Sequence, residues 1–210
     1  MPETLVDDID STALLGYAAD RAGAVGLALG PGARIRSHTV LYEGSQVGTG
    51  LSTGHNVVIR EQCRIGDHVS IWSNTVVDYA CRIGDRVKIH ANCYIAQYTE
   101  IEDDAFLAPG VTIANDLYPG QDASARVMSG PVIGAGAQIG VNVTVLPFVR
   151  IGAGALVGAG SVVTRDLPAG CVAFGSPALV RGHVDDLVPI GDRVEAVAES
   201  ASRYRQARSR

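Results

Sequence analysis

The sequence predicts an all-β solenoid, a triangular prism built from stacked coils of short strands. Two periods carry this expectation. The segment Cys63-Arg64-Ile65-Gly66-Asp67-His68-Val69 returns as Cys81-Arg82-Ile83-Gly84-Asp85-Arg86-Val87, and more loosely as Thr99-Glu100-Ile101-Glu102-Asp103-Asp104-Ala105, at one constant offset of three hexads. A fixed repeat of this kind marks a stacked architecture. Inside it runs a period of six. Stepping from Leu29 to Ile113 by sixes meets fifteen residues, of which only Thr53 is not aliphatic. Neither a helix nor a half-buried strand produces that comb by itself.

Each element follows from the hexad. An aliphatic residue in first place, a small or aliphatic one in fifth and often a glycine in second describe one short strand and one turn. Three hexads close one coil, and equivalent residues stack at the interstrand spacing of roughly 4.8 Å. The stack predicts Ile65, Ile83 and Ile101 in the core and Asp67, Asp85 and Asp103 along one corner. Arg64, Arg82 and Glu100 fall outside, with Glu100 relieving its neighbours' repulsion. Residues 1–28 lie outside the comb and form a separate segment, with a short helix expected over 11–21, capped by Ser11 or Asp10. The solenoid spans 29–178, about seven coils. The comb breaks after Ile113 and resumes at Ile133, Ile139, Val145, Ile151, Val157, Val163 and Ala169. The step from Ile113 to Ile133 is not a multiple of six, so a loop near 115–131, rich in Gly, Ser and Asp, leaves the prism there. A long loop in a strict solenoid points to function. Residues 179–210 are expected to hold a capping helix over 193–199 and a basic tail of Arg203, Arg205, Arg208 and Arg210.

Composition narrows the partners. The formal charge of −5 argues against nucleic acid. All basic residues but Lys88 are arginines, which suit local phosphate binding. The acidic start, with no basic stretch leading into an apolar run, predicts no export signal and a cytoplasmic chain. No apolar stretch of membrane-spanning length occurs. Cys63, Cys81 and Cys93 sit at fifth positions and read, with Cys171, as small core residues. No Cys/His spacing points to zinc, and no metal is expected.

The stretch from Gly158-Ala159-Gly160-Ser161-Val162-Val163-Thr164-Arg165-Asp166-Leu167-Pro168 to Gly175-Ser176-Pro177-Ala178, with the repeat over roughly 29–175, resembles the hexapeptide-repeat acyltransferases. The resemblance implies a left-handed parallel β-helix, acetyl-CoA as co-substrate and a homotrimer with sites between neighbouring prisms. The loop entry Ile113-Ala114-Asn115-Asp116-Leu117-Tyr118-Pro119 looks like the Asn-containing motif of the nucleotide-linked 3-amino-sugar N-acetyltransferases. No histidine occurs between His90 and His183, whereas members that acetylate hydroxyls carry a catalytic histidine in this loop. The resemblance therefore implies Asn115 as the residue that orients the acceptor amine, with Asp116, Tyr118 and Arg126 near the substrate. Arg126 stands in for an arginine that follows the proline in that motif, where this chain has Gly120. It implies Val141 and Ala159 along the pantetheine arm, and Thr164, Arg165 and Arg181 near the CoA nucleotide. A hydroxyl must lose its proton to attack a thioester and needs a general base; a neutral amine needs only orientation and a later route for its proton. O-acetylation with His90 as base is the alternative, and a non-catalytic scaffold the third reading.

Overall fold

The computed structural model describes residues 6–21, 23, 25–187 and 198. Nearly every strand is two residues long, one per hexad, as in Arg64–Ile65, Ser70–Ile71 and Val76–Val77. The chain visits three parallel sheets in turn; they hold 10, 8 and 7 strands and are called here the first, second and third. Residues one coil apart pair in register, Arg64 with Arg82 with Glu100 and Ile65 with Ile83 with Ile101. The predicted ladders are therefore present.

The turn chemistry sits at the fourth position of the hexad. His38, Asn56, Asn74, Asn92, Asp104 and Asn142 all have φ between 56° and 60°. Left-handed backbone favours Gly, Asn and Asp, which explains the recurrence of those residues at the corners. The fifth position does more than fill space. Ser45 Oγ donates to the carbonyl of Arg60 (2.7 Å), Thr75 Oγ1 to that of His90 (2.8 Å) and Cys63 Sγ to that of Asp78 (3.1 Å). Cys81 and Cys93 donate likewise to Ala96 and Ala108. Each link runs 15 residues forward and stitches one coil to the next. Thr53, the odd tooth of the comb, is paired with Thr39 at 3.3 Å.

All four cysteines are buried and unbridged. Burial pushes the Cys93 and Cys171 thiols up, and a hydrogen bond with Cys63 together with burial raises Cys81 further. The thiolate is the reactive form. Native protein at mildly alkaline pH is therefore expected to give almost no colour with DTNB within minutes, and four thiols after denaturation. Fast labelling of the native chain would mean that the core is not closed.

Three expectations are corrected. The helix over 11–21 does not form. Asp8–Ile9 and Leu14–Tyr17 are strands, paired in parallel with Arg34–Ile35 and Val40–Tyr42. Ile9 and Leu15 are six apart and belong to the comb, but they precede Ile35 and Leu41 by eight positions more than one coil, so the repeat hides them. The strands Asp8–Ile9, Leu14–Tyr17 and Ala28–Leu29 thus form the first coil, and the second sheet counts eight coils, not seven. The tooth expected at Ala169 is Leu167, buried and bridged to Ile151. Its step from Val163 is shortened to four residues. Finally, the boundary at 178/179 cuts a hairpin. Cys171–Phe174 and Leu179–His183 pair antiparallel and extend the first sheet. This strand occupies the edge that the first sheet would otherwise present at the last coil. The helix expected over 193–199 lies outside the described residues except for Ala198, which is helical.

Candidate functional site

The loop leaves the prism at the edge between the second and third sheets, after Thr112–Ile113, and returns at Val132–Ile133. Asn115 is the corner residue at its start. The repeat stacks it over Gln97, Tyr79, Glu61 and Glu43, each one coil from the next. The stack is a polar seam. Asn115 Nδ2 donates to Gln97 Oε1 at 2.7 Å and reaches Met128 Sδ at 3.6 Å. Gln97 Nε2 donates to Asp78 Oδ2 at 2.7 Å, where the Tyr94 hydroxyl also donates at 2.8 Å. The backbone N–H of Tyr79 donates to Asp78 Oδ1 at 2.8 Å, and Arg60 Nη1 stands 3.7 Å from it. Burial, reinforced by the bond to Asp78, pushes the Tyr94 phenol up to about 12, so it stays a donor at any working pH.

Further along the seam Glu61 is fully buried between Arg60 and Arg21. Burial pushes its carboxyl up, but the Arg60 hydrogen bonds and the two guanidinium charges outweigh that and hold it below the usual carboxylate range. Arg21, on the segment that joins Leu14–Tyr17 to Ala28–Leu29, lies over the Tyr79 ring at 3.5 Å.

Within the loop the backbone N–H of Ser129 donates to the carbonyl of Asn115 at 3.1 Å and closes the neck. Asp116 Oδ1 accepts from the Tyr118 N–H at 2.8 Å and from the Ser124 hydroxyl, so this oxygen shapes the loop. Tyr118 and Arg126 are exposed, Arg126 in a short 3-10 turn of Ser124–Arg126. The described contacts do not bring either to Asn115.

His90 lies on a different edge, between the first and second sheets. Its ring stacks on Trp72 (4.3 Å, 10° between planes) and tilts against Phe106 (4.8 Å). It is a step in an aromatic ladder and has no side-chain hydrogen-bond partner among the described residues. A catalytic base is commonly oriented by such a partner. Asn115 and His90 do not meet within one chain.

The expected cofactor residues also divide. Val141 and Ala159 line an apolar groove of about 360 Å³ on the His90 edge, with Phe106, Ala108 and Leu156. The Val141 carbonyl accepts the Gly160 N–H at 2.8 Å. Lower on the same edge the Ser73 hydroxyl takes the N–H of His55; the matching place above Val141 is held by Ala159, which has no side-chain acceptor. The groove thus combines an apolar wall with backbone polar groups, which fits an alkyl-amide arm. Thr164 and Arg165 are exposed on the Asn115 edge, two levels beyond it. Arg181 is on the terminal hairpin, with its guanidinium 5.7 Å from the Phe174 ring centre. One chain therefore does not gather these five into a single cradle.

Sequence reasoning missed Asp78, Tyr94 and Gln97. The signal was available for Gln97, which stands one coil before Asn115. It also passed over a polar hollow of about 580 Å³ lined by His68, Arg86, Lys88 and Gln138. Among the described residues no group of three His, Cys, Asp or Glu could hold a metal, and no helix is long and apolar enough to cross a membrane.

Comparison with known proteins agrees with the architecture. Residues 80–115 and 130–165 match the bacterial transferase hexapeptide (six repeats) family, and residues 62–97 the hexapeptide repeat of succinyl-transferase. Serine acetyltransferase 4 of Arabidopsis thaliana is 38% identical over 95 residues, 45% of this chain and 25% of that protein. The galactoside O-acetyltransferase of Lactococcus lactis is 50% identical over 48 residues, 23% of each. The chain thus spans about a quarter of the length of the curated relatives it matches. The UDP-N-acetylglucosamine acyltransferase of Campylobacter jejuni has the same fold, with a TM-score of 0.59 at 19% identity over 91% of this chain and 82% of that one. Residues 80–115 and 130–165 thus carry the hexapeptide repeat of bacterial transferases, and the six-residue comb and three parallel sheets continue that repeat as a left-handed parallel β-helix.

Proposed function

We propose that the protein moves an acetyl group from acetyl-CoA to the amine of a nucleotide-linked amino sugar, as a cytoplasmic homotrimer. The observation that carries the reading is the state of Asn115. Both hydrogens of its amide are engaged, by Gln97 Oε1 and Met128 Sδ, and its Oδ1 has no partner among the described residues. No buried side-chain oxygen or nitrogen is left unpaired among the described residues, so this oxygen is open to the surface. An acceptor carbonyl oxygen there can take a hydrogen bond from an amine and aim its lone pair. Acetyl-CoA supplies the activated acyl carbon. The C–N bond forms as the C–S bond breaks, and the departing sulfur takes the amine's extra proton. Val141 and Ala159 would hold the pantetheine arm; Thr164, Arg165 and Arg181 would face the nucleotide end, and Tyr118 and Arg126 the sugar nucleotide. Because Asn115 and the apolar groove lie on different edges, a complete site needs a second copy of the chain, which supports the trimer.

O-acetylation is the second reading, favoured by the names of the two curated relatives. It requires a base, and His90 is held by ring stacking alone. An acceptor screen separates the two. Release of CoA thiol is expected with nucleotide-linked amino sugars and not with their hydroxyl counterparts. Release with hydroxyl acceptors only would replace the first reading by the second.

A further inference from the structure

We propose that Asp78 and Gln97 are positioning residues that set which end of the Asn115 carboxamide faces the acceptor. The inference rests on the role given to Asn115 above. A carboxamide has a donor end and an acceptor end of nearly the same shape, so its direction is decided by its partners. Asp78 supplies the decision. Three donors converge on its carboxylate: the Tyr79 N–H, the Tyr94 hydroxyl and Gln97 Nε2, with the Arg60 guanidinium alongside. Asp78 therefore only accepts. Gln97 must point its nitrogen at Asp78 and its oxygen at Asn115. Asn115 must then point its nitrogen at Gln97, and its oxygen outward.

The polarity is transmitted over two side chains, and it is rigid because the first member is buried, 6% exposed. Reversing the first member reverses the last. In Asp78→Asn the new amide can donate to Gln97, which turns its oxygen inward and its nitrogen toward Asn115. Asn115 then presents its NH₂ to the acceptor, where two donors would oppose each other. A carboxylate at 115 has no donor end. In Asp78→Asn combined with Asn115→Asp, Gln97 donates to one oxygen of the new carboxylate at 115 and the other faces outward.

The test measures kcat and both KM values with an amino-sugar acceptor for the full-length protein. Asp78→Asn is expected to lower kcat about 10- to 100-fold, the worth of one hydrogen bond at the reacting amine, with KM for acetyl-CoA unchanged. The double variant is expected to recover most of that loss. A merely structural Asp78 predicts the opposite, a double variant worse than either single one. If Asn115→Ala is slow but Asp78→Asn turns over at the wild-type rate, the relay is wrong and the role of Asn115 stands. If Asn115→Ala itself is as fast as wild type, the reading of Asn115 fails and the relay falls with it. A second readout does not need turnover. The side-chain ¹⁵N–¹H pair of Asn115, assigned through Asn115→Asp, is expected to shift in Asp78→Asn, and an unchanged pair overturns the relay.

Discussion

Gly84→Ala is expected to lower stability by about 3 kcal/mol, which for a chain of this size is a fall of roughly 6–12 °C in Tm. A Cβ at Gly84 would lie 2.7 Å from the backbone nitrogen of Asp103 and press on its Oδ1. That oxygen is not idle. Asp103 Oδ1 accepts the N–H of Asp85 at 2.9 Å, Asp85 Oδ1 that of Asp67 at 2.8 Å and Asp67 Oδ1 that of Thr49 at 2.7 Å. Each aspartate reaches back across the glycine of the coil before it. The Ile-Gly-Asp repeat is therefore a unit in which the glycine clears the path for the carboxylate one coil on. Where the acceptor changes, so does the glycine. Glu102 replaces it in the third copy, and there Glu102 Oε2 itself takes the N–H of Ala135 at 3.0 Å. Gly136→Ala is the control. Its φ is +65°, but a Cβ there meets nothing within 4 Å, so only the left-handed strain of about 1 kcal/mol is expected. Equal melting shifts for the two variants, followed by circular dichroism, would sink the account.

Asn115→Ala is expected to reduce kcat about 100-fold with an amine acceptor, the scale for removing one preorganised polar group at a reacting centre. KM for acetyl-CoA should not move, because the apolar groove of Val141 and Ala159 is on another edge. The neck of the loop should also survive, since the bond from Ser129 is to the Asn115 backbone carbonyl. A proportional rise in KM for acetyl-CoA would mean that the alanine had disturbed the prism rather than the acceptor.

How far the sequence could be read follows from the comb. Wherever the step is six, the side chain's face, its neighbour one coil away and its burial were all legible. The stacks of Ile65, of Asp67 and of Arg64, and the buried cysteines, are of this kind. Reading failed wherever the step changes. Ile9 and Leu15 were hidden by eight extra residues, and Leu167 by two missing ones. The closing hairpin of Leu179–His183 has no repeat to announce it. At the site, the loop entry marked Asn115, but a single position does not reveal its hydrogen-bond partners. Gln97 follows from the one-coil offset, whereas Asp78 and Tyr94 join only through side-chain reach. The cofactor positions were carried over as a group, and the fold distributes them because an edge is assigned by the place of a hexad in its coil.

Every irregular step falls on one edge. From the first sheet to the second, and from the third to the first, the chain always advances six residues; from the second to the third it advances 14, 6, 6, 6, 6, 20, 6 and 4 along the eight coils. Two faces of the prism are thus under a length constraint and the third corner is exempt. For a lineage or an engineer this makes the corner a cassette. Segments of different length can be exchanged between Ile113 and Val132 while the step along the other two edges stays six, so this loop can drift by insertion and deletion while the remaining walls stay unaltered.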